Sequence, residues 1–287
     1  THKVCVNTLG AYKQSIEVLL TGLDIEKKAE IYVDQIFHNL GGKEQFTDVD
    51  IHLIRSDKED PASNEEAHAA LRITITSDDP SKLGRLLQAK VTELGLAAIP
   101  GNTGRGAAGY NGNPVIAYWP TLIDSRKVTE RVHINGDLIE VLPTQRLGLE
   151  ERYYQEVPVK IPPAPGGDTT RIPFGRLFGT RSGDKGGAAN CGVWAKTDEA
   201  FGFLHEFLTV EKFKELAPDM ASYKIERFDL PNLRALNFYI HDVLGEGVSS
   251  NHRIDKQAKS LCEYLRAKTI EAPTLLVDQI ARTNLNE

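Results

Sequence analysis

The sequence predicts an α+β fold built from two α/β-sandwich parts. Short segments in which apolar and polar residues alternate indicate strands, and two longer segments with apolar residues at helical spacing indicate helices among them. A stretch rich in proline and glycine at 157–170 separates the elements into two groups. The 287 residues suffice for about two domains at roughly 100–200 residues each. We therefore expect one part over 1–156 and a second over 171–287, joined by this linker.

The strands of the first part are predicted from period-two alternation and from β-branched side chains, which fit a pleated and half-buried surface. They are expected at 3–7, 15–21, 49–54, 71–76, 115–118, 131–134 and 138–141. Between the last two, the sequence Asn135-Gly136-Asp137 is typical of a hairpin turn.

Two helices are predicted among these strands. Asp24 stands at the expected N-cap of the first helix, which ends at Gly41. Asp79 followed by Pro80 predicts the start of the second helix, because proline is favoured just inside a helix. The stretch 100–114 contains five glycines, and we expect a surface loop of the kind that serves as a lid or binding loop.

The second part is predicted to alternate pairs of strands with helical segments. Strands are expected at 174–180, 190–196, 222–229, 233–240 and 269–277. Helices are expected at 198–208, 210–216 and 255–268. This order is close to a split βαβ, or ferredoxin-like, layout.

Composition and charge exclude several classes of function. The formal net charge is −6, whereas a general nucleic-acid binder needs a basic surface to displace counterions. The apolar stretches are far shorter than the roughly 20 residues that span a bilayer, and the first residues lack the pattern of a signal peptide. The histidines form no metal-binding spacing, so no metal is expected. No other cofactor is evident from the sequence, and a CoA thioester is expected only as a possible substrate.

The cysteines predict a cellular compartment. Cys5, Cys191 and Cys262 are too few and too scattered for a disulfide framework or a zinc cluster. We therefore expect a protein of the reducing cytoplasm. Cys191 lies in a predicted core strand and is expected to be a buried structural thiol rather than a nucleophile.

The densest group of polar and small residues lies at 180–190, between two predicted strands. Arg181 and Lys185 supply positive charge, and Gly186 and Gly187 let backbone N–H groups approach an anion closely. Ser182 adds a hydroxyl, and Asp184 beside Lys185 forms a candidate acid–base pair. Asn190 is the last polar residue of this group. An alternative interpretation is a wide glycine-rich hairpin with solvated charges.

A second group of polar residues follows further along the chain. Asn237 interrupts an otherwise apolar strand, so its amide must be paired or face a site. Arg253 precedes a predicted helix and could help to hold an anion at its N-terminus. Asp255 is better explained as the N-cap of that helix than as a catalytic group.

Three ordered motifs resemble those of the acyclic terpene utilisation AtuA-like family. The first is Arg-Ser-Gly-Asp-Lys-Gly-Gly-Ala-Ala-Asn-Cys-Gly-Val at 181–193, and the others lie at 230–238 and 245–259. Together they cover about 172–277, which is similar to the small ferredoxin-fold C-terminal domain of the family. Segments of the first part resemble the latter portion of its large N-terminal domain, at 3–7, 20–25 and 100–101. Family members normally carry a long region upstream, so we expect a missing N-terminal region or a partner chain.

The resemblance implies a role in degrading acyclic terpenes such as citronellol and geraniol, alongside a geranyl-CoA carboxylase. We expect a cytosolic catabolic enzyme or enzyme subunit that acts on a branched acyl-CoA or a related carboxylate by a hydration or lyase-type step. The chemistry of the motif indicates which residues would bind this acidic substrate: Arg181, Gly186, Gly187, Asn190, Asn237 and Arg253. Ser182, Asp184 and Lys185 would be catalytic. We expect a homo-oligomer and no membrane or nucleic-acid partner.

Two alternatives differ from this expectation. The first is a non-catalytic assembly or accessory module of a carboxylase-type complex. The second is an N-terminal-threonine hydrolase, in which Thr1 is the nucleophile and its own amine the base.

Overall fold

The chain contains helices and strands in mixed order, which confirms the predicted α+β class. The computed structural model describes residues 1–97, 99–104, 112–141 and 160–284. The predicted loop at 100–114 and the predicted linker at 157–170 lie partly outside these residues. The chain divides into a first unit, Thr8–Ala117, and a second unit, which combines Thr1–Asn7 with Tyr118–Glu287. In the described ranges, no helix is both long and apolar enough to cross a membrane.

The first unit is built around one sheet. Its strands are β1 (His2–Thr21), β2 (Asp48–Ile54), β3 (His68–Ser77), β4 (Asn102–Gly104) and β5 (Asn113–Ile123), of which β1 and β5 continue into the second unit. The strand order is β2-β3-β1-β4, and β5 also pairs with β1. Strand β1 is antiparallel to β3 and β4, and β3 is antiparallel to β2.

Two helices, α1 (Ile25–Asn39) and α2 (Arg85–Gly95), supply the other half of the core of this unit. Alternate residues of β1 and β3 point towards them, because side chains of a strand alternate between the two faces of a sheet. The buried strand residues are Ile16, Val18, Leu20, Leu71, Ile73 and Ile75, and they pack with helix residues such as Tyr32, Ile36, Leu87 and Leu94. The opposite face of the sheet carries polar residues such as Thr74 and Thr76, followed along the strands by an apolar row of Ile54, Ala70 and Leu19.

Three predictions for the first unit are corrected. The segments 3–7 and 15–21 belong to the single strand β1. Asp24 occupies the N-cap position of α1 but is left-handed, with φ 56°, and its side chain makes no capping hydrogen bond. Asp79 does cap, since its carboxylate accepts from the Ser81 N–H, but the turn that it caps is a short 3₁₀ helix, and α2 begins only at Arg85.

The second unit contains most of the remaining elements. Its strands are β6 (Glu130–Ile134), β7 (Asp137–Val141), β8 (Thr169–Pro173), β9 (Gly179–Lys185), β10 (Ala188–Trp194), β11 (Ile225–Leu230), β12 (Ala235–Ile240) and β13 (Thr269–Pro273). Its helices are α3 (Phe174–Leu177), α4 (Asp198–Phe207), α5 (Val210–Leu216), α6 (Leu261–Arg266) and α7 (Thr274–Asn284). An antiparallel sheet in the order β11-β12-β10-β9 is accompanied by two-stranded sheets β8–β13 and β6–β7.

Helices cover one face of the four-stranded sheet and enclose an aromatic core. The rings of Phe213 on α5 and Phe238 on β12 stack with centroids 4.7 Å apart. Phe174, Phe178 and Phe201 are also fully buried. The other face of this sheet carries the residues that concern function.

The C-terminal elements differ from the prediction in three places. Residues 174–177 form α3, and β9 starts only at Gly179. The helix predicted at 255–268 is confined to Leu261–Arg266, because Ala258 is left-handed, with φ 52°, and a right-handed helix cannot pass through it. The strand predicted at 269–277 ends at Pro273, and α7 follows it.

The prediction of an unpaired thiol at Cys191 is wrong. Cys191 on β10 and Cys262 on α6 are both buried and form a disulfide with their Cα atoms 6.1 Å apart. Cys5 is free and exposed. The disulfide joins the sheet to α6, and Cys191 is the register partner of Ser182 on β9.

Candidate functional site

The face of the four-stranded sheet that points away from the helices is the candidate site, and we call it the open face. Ala189, Cys191 and Val193 of β10 lie in the core. By alternation, the residues between them belong to the open face. The strand register aligns the residues of this face in three rows. From β9 to β11 they are Gly179–Trp194–Ala235–Leu230, Arg181–Gly192–Asn237–Phe228 and Gly183–Asn190–Tyr239–Glu226.

An amide pair lies in the middle of the open face. Asn190 Nδ2 donates to Asn237 Oδ1 at 3.1 Å, and both side chains are half-buried. Gly183, opposite Asn190, and Gly192, opposite Asn237, carry no side chain, so the pair is not covered from these two positions. Within the described part of the chain, the amide NH₂ of Asn237 and the amide oxygen of Asn190 have no further hydrogen-bond partner. The pair therefore offers one donor and one acceptor to a ligand.

Three cations border the amide pair. Arg181 and Lys185 are exposed on the same face of β9. The ammonium of Lys259 lies 3.4 Å from the point that a β-carbon at Gly183 would occupy. Among the residues that the structure describes, none of these three cations has a carboxylate partner, although Lys185 Nζ donates to the backbone carbonyl of Asp184 at 2.8 Å. This end of the face can therefore attract an anion.

Ser182 and Asp184 lie on the opposite side of β9 from Arg181 and Lys185. Ser182 is 8% exposed, and its Oγ accepts the backbone N–H of Cys262 at 3.0 Å. Asp184 stands opposite the fully buried Ala189. Side chains alternate between the two faces of a strand. Arg181, predicted to bind the substrate, therefore lies on one face of β9, and Ser182 and Asp184, predicted to be catalytic, lie on the other.

The turn between β9 and β10 is packed against a neighbouring loop. Gly186 is left-handed, with φ 69°, and the ring of Tyr118 lies 3.0 Å from the site of its missing β-carbon. A β-carbon at Gly187 would collide with the carbonyl oxygen of Gly245, and the Gly187 carbonyl accepts the Leu244 N–H at 2.8 Å. These two glycines therefore make room for other parts of the protein, namely the Tyr118 ring at Gly186 and the Gly245 backbone at Gly187.

Arg253 is placed away from the open face. Its guanidinium donates to the Asp219 carboxylate at 2.9 Å and lines a cavity of about 140 Å³. Asp255 lines the same cavity. Its carboxylate accepts from the backbone N–H groups of Lys259 and Ser260, and Ser260 holds the N-cap position of α6. The predicted N-cap role of Asp255 is therefore corrected.

One functional candidate was missed in the sequence. His241 Nε2 lies 2.8 Å from Glu226 Oε2, and the other oxygen of Glu226 lies 3.0 Å from Lys224 Nζ. The hydrogen bonds from His241 and then from Lys224 lower the pKa of the Glu226 carboxyl, so it stays ionised beside the imidazole. The Tyr239 ring packs edge-on against His241 with centroids 4.8 Å apart. Strand pairing brings these residues together, and alternation along β12 places them on the open face.

The row Gly179–Trp194–Ala235–Leu230 at the far end of the open face is apolar, and Phe228 adds an apolar side chain at the β11 end of the middle row. Trp194 is 41% exposed, Phe228 49% and Leu230 41%. The Trp194 indole covers Gly179, where any side chain would collide with it. The face therefore changes from charged and amide groups to aromatic and aliphatic groups along its strands.

These features define a ferredoxin-like α+β module with an open, polar sheet face. The model of the AtuA ferredoxin-like domain matches residues 172–271, which contain that face. The model of the acyclic terpene utilisation family protein AtuA matches residues 1–134. The two matches cover most of the chain, which belongs to the AtuA family of acyclic terpene utilisation proteins. Comparison with curated proteins and with solved structures found no match.

Proposed function

We propose that this chain is a catabolic enzyme, or a subunit of one, that binds a branched acyl-CoA or a related carboxylate on the open face. The observation that carries the proposal is the half-buried Asn190–Asn237 pair with three cations around it that have no carboxylate partner in the described residues. Anionic groups of the ligand meet Arg181, Lys185 and Lys259, and the Asn237 amide donates to a carbonyl or carboxylate oxygen. The branched hydrocarbon lies towards Trp194 and Phe228.

The reaction that we propose is a hydration or lyase-type step, which needs a group that moves a proton. On the open face, His241 can take this role because a hydrogen bond with Glu226 at 2.8 Å holds its imidazole in place. Ser182 and Asp184 point away from this face and stay predictions. The cytoplasmic location, the homo-oligomer and a partner chain also stay predictions.

Calorimetric titration with geranyl-CoA, free CoA and geranic acid tests the proposal. Asn237→Leu and Arg181→Met should each weaken binding of geranyl-CoA by about tenfold or more, which corresponds to one hydrogen bond to a charged group. Arg171→Met is the matched control, because Arg171 is an exposed cation on β8 that pairs with Glu271 outside the face. Binding that is unchanged in both site variants, or lost equally in the control, would refute the proposed site.

A second candidate function is assembly with a carboxylase-type partner, and the β6–β7 hairpin favours it. Register places Val132, Ile134, Ile139 and Val141 on one face of this hairpin, each between 38% and 51% exposed. A two-stranded hairpin is marginally stable alone, so this face gains most from a covering surface. If the function is assembly, the purified chain should capture a carboxylase from an extract of the producing cells, and Ile134→Asp should abolish the capture. Full turnover of an acyl-CoA by the isolated chain contradicts this candidate.

A further inference from the structure

The cavity beside Arg253 in the second unit is used by neither proposed function. Its volume is about 140 Å³. An apolar cavity of about 150 Å³ is large enough to bind benzene, so this one can hold a ligand of about six non-hydrogen atoms. One part of its lining is apolar, and the side chains there are at most 6% exposed: Met220, Val243, Leu244, Ala258 and Leu261.

An ion pair supplies the polar part of the lining. Arg253 Nη2 donates to Asp219 Oδ2 at 2.9 Å, and the two side chains are 32% and 50% exposed. Among the described residues, Asp219 Oδ1 and the Nε–H and Nη1–H groups of Arg253 have no further hydrogen-bond partner. The pair therefore keeps one acceptor and several donors side by side for a polar group of a ligand.

The other charges around the cavity balance each other. The carboxylate of Asp255 already accepts from two backbone N–H groups and one hydroxyl, so both of its oxygens are satisfied. The ammonium of Lys268 lies 4.3 Å from the ring centroid of Tyr264, which also lines the cavity, and it has no carboxylate partner in the described chain. Together with the ion pair, two cations stand against two carboxylates. A ligand of either charge would thus meet a like charge, which is unfavourable.

We propose that this cavity binds a small neutral alcohol. The ligand hydroxyl donates to Asp219 Oδ1 and accepts from the guanidinium of Arg253, because a hydroxyl is both a donor and an acceptor. The hydrocarbon part, about five carbon atoms, packs against Met220 and Leu244. The site shares no residue with the open face and goes beyond the proposed acyl-CoA function.

The single methionine of the sequence gives a direct test on the full chain. Met220 lines the cavity, so isotope labelling of methionine methyl groups reports on ligand entry by NMR, and Met220→Leu identifies its signal. The probes are cyclopentanol, cyclopentylammonium and cyclopentanecarboxylate, which share one ring and differ in charge. Cyclopentanol should shift the signal saturably with a Kd in the millimolar range, as few atoms make contact. The two charged probes should bind about tenfold more weakly.

Two reciprocal variants test the assignment of the ion pair. Arg253→Met leaves the carboxylate of Asp219 without its cation, so affinity for cyclopentylammonium should rise about tenfold. Asp219→Asn leaves the guanidinium without its carboxylate, so affinity for cyclopentanecarboxylate should rise by a similar factor. A variant that merely fails to fold would not gain affinity for one charged probe.

Two controls lie outside the cavity. Arg171→Met removes an exposed cation that pairs with Glu271, and it should leave all three affinities unchanged. Asn237→Leu should also leave them unchanged, which separates this inference from the proposed acyl-CoA site. The inference is overturned if cyclopentanol leaves the Met220 signal unchanged, if a charged probe binds the unmodified chain as tightly as cyclopentanol, or if the two reciprocal variants alter all three affinities alike.

Discussion

The hydroxyl of Ser182 acts as a hydrogen-bond acceptor inside the second unit. It receives the N–H of Cys262 at 3.0 Å in a buried position. Removing it leaves a buried N–H without a partner, which costs about 1–3 kcal/mol. We expect Ser182→Ala to lower the free energy of unfolding by about 1–2 kcal/mol in urea denaturation under reducing conditions.

A matched serine separates this role from catalysis. Ser222 is exposed, and Ser222→Ala should change stability by less than about 0.5 kcal/mol. If Ser182→Ala keeps its stability but loses turnover of an acyl thioester, Ser182 is the catalytic hydroxyl that the sequence predicts, and the structural account is wrong.

Asp229 links stability to pH. Burial acts to raise its pKa, but hydrogen bonds from Arg227 Nε at 2.8 Å and His205 Nε2 at 2.9 Å outweigh burial, and the pKa is lowered. A carboxylate with a lowered pKa stabilises the fold above its unfolded pKa of about 3.9, and this contribution disappears as the pH falls through the folded pKa. We expect Asp229→Asn to cost up to about 1 kcal/mol at pH 7, a small value because the side chain is 41% exposed and screened by solvent.

The measurement is urea denaturation of the unmodified chain and of Asp229→Asn from pH 7 to pH 3. The difference in unfolding free energy should shrink over the acid end of this range. Asp278→Asn is the control, since Asp278 is exposed and has no partner in the described chain. A difference that stays constant down to pH 3 contradicts the assigned ion pair.

At the scale of elements, the turn between β9 and β10 depends on close backbone packing. A methyl group at Gly187 would collide with the Gly245 carbonyl, and relieving such overpacking costs about 1–3 kcal/mol. Gly187→Ala should therefore lower the Tm by several degrees in a thermal scan. Gly166→Ala provides the comparison, because a β-carbon there meets no atom within 4 Å. Equal Tm values for the two variants would show that the two loops do not pack as described.

Elements with a strong local pattern were predicted well. The alternation at 71–76 lies within β3, and the helical spacing after Asp24 lies within α1, because both patterns depend only on neighbouring residues. The prediction failed where one backbone conformation decided the outcome. The left-handed Ala258 delays α6 to Leu261, although the surrounding residues favour a longer helix.

At the scale of the whole molecule, the sites depend on contacts that a sequence pattern does not contain. Asn190 and Asn237 are 47 residues apart, and His241 and Glu226 are 15 apart, yet each pair meets across strands. The resemblance to the AtuA family pointed to the segments that carry the open face without telling which face of β9 each residue occupies. Predicting the open face required the strand order and register, which arise from tertiary packing.

Cys262 is attached to the sheet at two points. Its backbone N–H is bonded to Ser182 on β9, its sulfur is bonded to Cys191 on β10, and these two partners stand opposite each other in the register. Either attachment can hold the start of α6 when the other is removed, so substitutions at the two sites should be non-additive. Unfolding free energies measured for variants in this region will therefore depend on the redox state of the buffer. Rankings of such variants are comparable only within one redox condition.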